Sequence, residues 1–189
     1  CQEANMKGLI FCEFLDMVEH TYSEEMLEEL FEGVSLASEG AYTTVGTYDY
    51  REMIALVDAL AARTQQPAAT LLRQFGHHLA SAFSTKFSHF FGNAPSLFEF
   101  LKSIEHHIHV EVRKLYPDAE LPAFDYRQES LSELRMFYRS ARPMAMLALG
   151  LIEGCASYYG ETISVQMQSL PDDEQGRTEF VINRMTKHI

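Results

Sequence analysis

The hydrophobic period of this chain changes near residue 120, and no single kind of secondary structure satisfies both halves. Before that point apolar residues recur at helical spacing. Ile10, Phe14, Met17 and Val18, then Met26, Leu27, Leu30 and Phe31, alternate with acidic residues and break at Tyr22-Ser23, which predicts two helices over 10–32. After the polar, Gly-bearing stretch SEGAYTTVGTYDYREM the spacing resumes from Met53 to Ala62, and Pro67 suits the first turn of a further helix through Leu79 and Phe83. Residues 87–95, with FFGNAP, read as a loop. Ser96 then caps a helix running to about Tyr116, where Pro117 stops it.

Beyond Pro117 the reading is different. DAELPAFDYRQ is irregular, LRMFYRSAR alternates as a strand, and PMAMLALGLIEGCASYYG is a helix opened by Pro143. TISVQMQSL and TEFVINRM are two strands flanking the turn residues PDDEQGR. Helices followed by strand, helix, strand, strand make an α+β chain with an antiparallel sheet.

With 189 residues and 47% apolar content, one domain over 6–189 can bury a single core. CQEAN (1–5) precedes Met6 and reads as a leader or vector remnant, a lipid-bearing Cys1 being the lesser alternative. A formal charge of −12 repels phosphate, so no nucleic acid is expected and the partner is a small molecule or a protein. No apolar run approaches the roughly 20 residues of a membrane span, so no membrane association is expected. The cysteines, Cys1, Cys12 and Cys155, lack metal-site spacing and leave an odd thiol, which favours a reducing, cytoplasmic setting.

The segment SIEHHIHVEVRKLYP places His106, His107 and His109 on the 97–116 helix. On an ideal wheel Leu97, Leu101, Ile104, Ile108, Val112 and Leu115 form one stripe; His109 borders it, and His106 and His107 face the polar side. A neutral imidazole at the edge of an apolar wall is what an axial metal ligand in an organic pocket requires. The competing readings are a packed histidine and a zinc site using His106 and His109, for which the nearby Glu105 and Glu111 point elsewhere on the wheel. His20, His77, His78, His89 and His188 read as surface or core residues. In YRSAR, period-two alternation puts Tyr138, Ser140 and Arg142 on one strand face, a phenol, a hydroxyl and a guanidinium suited to a ligand with two carboxylates, though an ordinary exposed face has the same pattern.

Taken together, the MKGLIF opening, IHVEVRKLYPDAELPAF, YRSAR and LGLIEGCASYYGETISV resemble the haem nitric oxide and oxygen binding (H-NOX) domains, shared by bacterial gas sensors and the beta subunit of soluble guanylate cyclase. The resemblance runs over nearly the whole chain from Met6. It implies a helical N-terminal half and a C-terminal half of helices and a four-stranded antiparallel sheet, enclosing haem b. Position by position, His109 matches the proximal iron ligand, Tyr138, Ser140 and Arg142 the propionate-binding triad, and Pro122 a proline that packs against and distorts the porphyrin. Relatives that hold oxygen use a distal tyrosine; the matching position here is Leu147, and two companion polar positions match Phe14 and Leu79. Ile10, Phe83 and Leu151 match pocket-lining positions.

An apolar distal wall offers no donor to dioxygen, whereas nitric oxide needs none, so the ligand implied is nitric oxide, with carbon monoxide a weaker mimic and oxygen disfavoured. The implied signal is weakening or rupture of the iron–His109 bond, which lets the helix carrying it shift. The output passes to a separate histidine kinase or cyclic-di-GMP enzyme, and the chain itself is not an enzyme. Some relatives carry a cysteine and histidine zinc site near the C-terminal sheet; only Cys155 lies in that half, and no zinc is expected. Thiol redox sensing through Cys12 or Cys155 competes with simple packing. The rival functions are a haem or zinc enzyme using the histidine cluster, a cofactor-free interaction module that kept the fold, and a variant in which His77 or His78 supplies a sixth ligand.

Overall fold

Side-chain oxygens fix where several helices begin. Ser23 accepts a hydrogen bond from the Met26 N–H, Asp49 from Arg51 and Ser96 from Glu99, each satisfying one of the unpaired donors of a first helical turn. The computed structural model describes residues 5–170 and 177–185. In chain order the elements are β1 (Asn5–Lys7), α1 (Gly8–Thr21), α2 (Glu24–Gly33), β2 (Thr47–Asp49), α3 (Tyr50–Thr64), α4 (Ala68–Lys86), α5 (Ser88–Asn93) and α6 (Leu97–Ser103). A π-helical turn (Ile104–Ile108) joins α6 to α7 (His109–Leu115), followed by β3 (Ala123–Gln128), β4 (Glu133–Arg139), α8 (Ala145–Tyr158), β5 (Ile163–Ser169) and β6 (Arg177–Arg184).

The fold is α+β, with an antiparallel four-stranded sheet in the order β3-β4-β6-β5 and a small β1-β2 ribbon. The helices and the two C-terminal strands fall where the sequence placed them, but several local readings are corrected. FFGNAP is not all loop, since Ser88–Asn93 forms α5 and buries Phe90 and Phe91. AFDYRQ is not irregular but the edge strand β3, and three-residue β1 and β2 were not foreseen. Asn5, assigned to a leader, is the first residue of β1; residues 1–4, including Cys1, the turn residues Pro171–Gly176, and His188 lie outside the described residues. Among the described residues no helix is long and apolar enough to cross a membrane.

Two hydrophobic cores result. One gathers α1 to α4 around Phe11, Phe14, Leu56 and Phe75; the other lies between the sheet, α6 and α8 around Leu97, Phe98, Leu134 and Phe180. Phe83, Met146 and Leu151 pack against both. The joint is the α4–α8 pair, where the backbones nearly touch: a Cβ on Gly150 would sit 2.0 Å from the Arg73 carbonyl oxygen, and one on Gly76 2.4 Å from that of Leu147. Arg73 and His77 of α4 also bond the Glu153 carboxylate of α8, at 2.6–2.7 and 2.9 Å.

Candidate functional site

Between the two cores lies a cavity of about 280 Å³, at the small end of ligand pockets. Ile10 of α1, Leu79 and Phe83 of α4, and Leu147 and Leu151 of α8 line it, as do His109, Pro122, Tyr138 and Arg142. Two predicted residues do not line it. Phe14 is fully buried behind the wall, edge-on to Phe75 at 5.2 Å, and Ser140 lies outside the lining.

His109 owes its position to the π turn. Its N–H bonds the Ile104 carbonyl five residues back, so the helix carries one residue more than an α-helix would, turning later side chains by about 100° from the ideal wheel. His109, expected at the border, is buried at 7% exposure and lines the cavity together with the stripe residues Leu101, Ile104, Ile108, Val112 and Leu115, of which Leu115, at 64%, is the most exposed. His106 and His107 are exposed, as the wheel had them.

The imidazole is chemically prepared as a ligand. Its Nδ1 is 3.2 Å from Glu105 Oε2, and that oxygen also accepts the Phe124 N–H at 3.1 Å, anchoring the π turn to β3. A carboxylate partner makes Nδ1 the protonated nitrogen and leaves the Nε2 lone pair free. Burial pushes the pKa of His109 down against the opposing pull of Glu105, which keeps the ring neutral. On the wheel Glu105 is a same-side neighbour of His109 at i,i+4 spacing, and the structure joins the two; it does not point elsewhere, as the zinc reading had it. The His106–His109 zinc reading is not supported, because no group of metal-capable side chains among the described residues includes either, and Glu111 is bonded to Lys114.

At the other end of the wall β4 stops at Arg139, so Ser140 and Arg142 lie on the turn after it and not on a strand face with Tyr138. The turn still groups them, since Ser140 Oγ accepts the Arg142 N–H at 3.1 Å. The Arg142 guanidinium donates to the carbonyl oxygens of Asn5 at 3.1 Å and Glu120 at 2.7 Å, and makes no ion pair among the described residues. Burial lowers its pKa. Burial likewise raises that of Tyr138, with the Ser140 hydroxyl and the Arg142 charge opposing. His77 and His78 do not line the cavity; they bond the carboxylates of Glu153 and Glu13.

A family model described as Haem-NO-binding matches residues 7–167. The chain belongs to this family. The unliganded Fe(II) H-NOX protein from K. algicida shares 36% identity over 97% of this chain and 99% of its own, with a TM-score of 0.90. The H-NOX from Shewanella woodyi in the Fe(II)CO state is 34% identical over 97% of each chain, at a TM-score of 0.81. An H-NOX protein from S. oneidensis in the Fe(II)NO state is 23% identical, covers 96% of this chain and 100% of its own, and superposes at 0.87, a likeness of fold. A comparison with curated proteins gave no match. H-NOX domains bind haem and serve as gas sensors rather than enzymes. The cavity of this H-NOX chain fits such a group: its walls are apolar, His109 keeps a free nitrogen, and Arg142 is a half-buried cation that, among the described residues, has no carboxylate bonded to it.

Proposed function

We propose that the chain senses nitric oxide through ferrous haem b and passes the signal to a separate protein, a histidine kinase or a cyclic-di-GMP enzyme. What supports this most is a neutral buried imidazole, held by Glu105 on a π turn, at the wall of an apolar cavity. When bound, the haem would supply an iron able to take the imidazole nitrogen and a diatomic gas as ligands.

The chain's own residues do the rest. His109 gives its Nε2 lone pair while Glu105 retains the Nδ1 proton. Arg142 and Tyr138 offer the propionates a charge and a hydroxyl, and Ser140 orders the turn that carries Arg142. Pro122 lines the cavity and would pack against the haem as a rigid wedge. Leu79, Leu147 and, behind them, Phe14 keep hydrogen-bond donors away from the gas, which favours nitric oxide over oxygen and admits carbon monoxide weakly. Release of His109 would free the π turn, a form that is rare in helices and frequent at functional sites, and would let the α6–α7 helix move against β3.

Absorption spectra of the ferrous protein, with and without nitric oxide, test the reading in wild type and His109→Gly. The wild type should show a five-coordinate histidyl haem that shifts with nitric oxide and not on brief exposure to air. The variant should lose its haem or require added imidazole. A wild type without a Soret band after expression with ample haem would favour the cofactor-free module instead.

A further inference from the structure

A second group of ligating side chains lies between α1 and α4, in a groove that shares no lining residue with the haem cavity. Its centre is Glu13, only 3% exposed, an unusual place for a carboxylate. The two oxygens of Glu13 have different partners. Oε1 is taken by Lys86 Nζ, while Oε2 lies 3.2 Å from His78 Nε2, and Asp16 Oδ2 lies 3.5 Å from the same nitrogen. The ligating atoms of Glu13, Asp16 and His78 all fall within 4.8 Å of one another.

We propose that Glu13, Asp16 and His78 bind a divalent transition cation of the zinc type, clamping α1 to α4. Bonds of about 2.0–2.1 Å around a tetrahedral cation set neighbouring ligand atoms about 3.3–3.4 Å apart, and the observed 3.2 and 3.5 Å bracket that value. Without a cation one Nε2 proton must serve two carboxylates; with one, the same nitrogen gives its lone pair. An imidazole with two carboxylates selects zinc over magnesium or calcium, which prefer all-oxygen shells. Supporting contacts surround the set. Asp16 Oδ1 is 3.3 Å from His20 Nδ1, and Lys86 holds the Glu13 oxygen that faces away from His78. Asp16 is half exposed, which leaves a fourth position open to water. Zinc in this groove would depart from the expectation of no zinc, which was argued from the cysteines, and from the reading of His78 as a surface or core residue.

The site would bear on sensing through its two helices, since α1 carries Ile10 and Phe14 and α4 carries Leu79 and Phe83. It stands apart from the haem reading, because its test needs no haem. Calorimetric titration of the full chain with zinc chloride should show one zinc per chain at micromolar Kd or tighter. His78→Ala and Asp16→Asn should each weaken it by at least about 10-fold, and His77→Ala should leave it unchanged. His78 and Asp16 reach solvent, so melting curves should show that both variants fold. Zinc-edge X-ray absorption should give a nitrogen and oxygen shell near ~2.0 Å with imidazole scattering. No uptake, uptake indifferent to both substitutions, or a sulfur shell near ~2.3 Å overturns the proposal.

Discussion

Glu105 governs how His109 can act, because it is the one carboxylate bonded to the ring, and it also accepts the Phe124 N–H. Glu105→Gln keeps an acceptor but loses the charge, and charge-assisted bonds are about twice as strong as neutral ones. Glu105→Ala leaves two buried donors unmet, at a cost of about 1–3 kcal/mol each. Haem should therefore leave Glu105→Ala about 10–100-fold faster than wild type, and Glu105→Gln at an intermediate rate, measured by transfer to apomyoglobin. Equal rates in all three would show that Glu105 only braces β3. A second residue answers the question of thiol chemistry. Cys155 lines the cavity, and burial pushes its thiol pKa up to about 12, so on the order of one thiol in ten thousand is ionised at pH 8. Native protein should resist iodoacetamide at Cys155 in mass spectra, and unfolded protein should be labelled there. Ready labelling in the native state would restore the redox reading.

At the scale of elements, the α4–α8 contact carries the joint between the cores. A methyl at Gly150 would meet the Arg73 carbonyl, part of a backbone that cannot give way as a side chain does. Gly150→Ala gains up to ~1 kcal/mol in helix propensity but faces an overpacking cost of about 1–3 kcal/mol, so thermal melting should show a net loss of a few degrees. The same contact has a pH signature. Burial raises the pKa of Glu153, but its bonds to Arg73 and His77 outweigh that and leave it below the usual 4.5. A depressed folded pKa gives stability that is present above the unfolded pKa and lost as pH falls through the folded one. Glu153→Gln should thus lower Tm at neutral pH, with the difference shrinking as pH drops below about 4.5. The sequence disclosed these helices because their apolar spacing is long and regular. It hid β3, whose six residues AFDYRQ mix charge with apolar side chains, and β1 and β2, which at three residues each are too short to show a period. It also hid the π turn, because a wheel assumes a constant angle per residue; the residue types at His109, Tyr138 and Arg142 and the i,i+4 spacing of Glu105 and His109 were readable, but the burial of His109 and the early end of β4 were not.

At the scale of the whole molecule, the cavity sits between two cores joined by Phe83, Met146, Leu151 and the close α4–α8 backbones, with polar links from Arg73 and His77 to Glu153, Lys7 to Asp118 and Arg142 to Asn5. Whatever fills it contacts both cores at once, so occupancy should act on the cooperativity of the entire chain. A group bound at a thousand times its Kd adds about 4 kcal/mol, which for a chain of this size is about 8–16 °C in Tm. Haem-free wild type should therefore melt well below the haem-loaded protein. Hydrogen exchange in α7 and β3, which flank His109 and Glu105, should slow on loading. His109→Ala separates the cavity's contribution from that of the imidazole: its haem-free form should melt close to haem-free wild type, while its shift on adding ferrous haem should be clearly smaller. Equal shifts in the two proteins would mean that the apolar walls alone hold the group and that His109 is not its ligand. No shift in either would mean that this cavity is not where the haem binds.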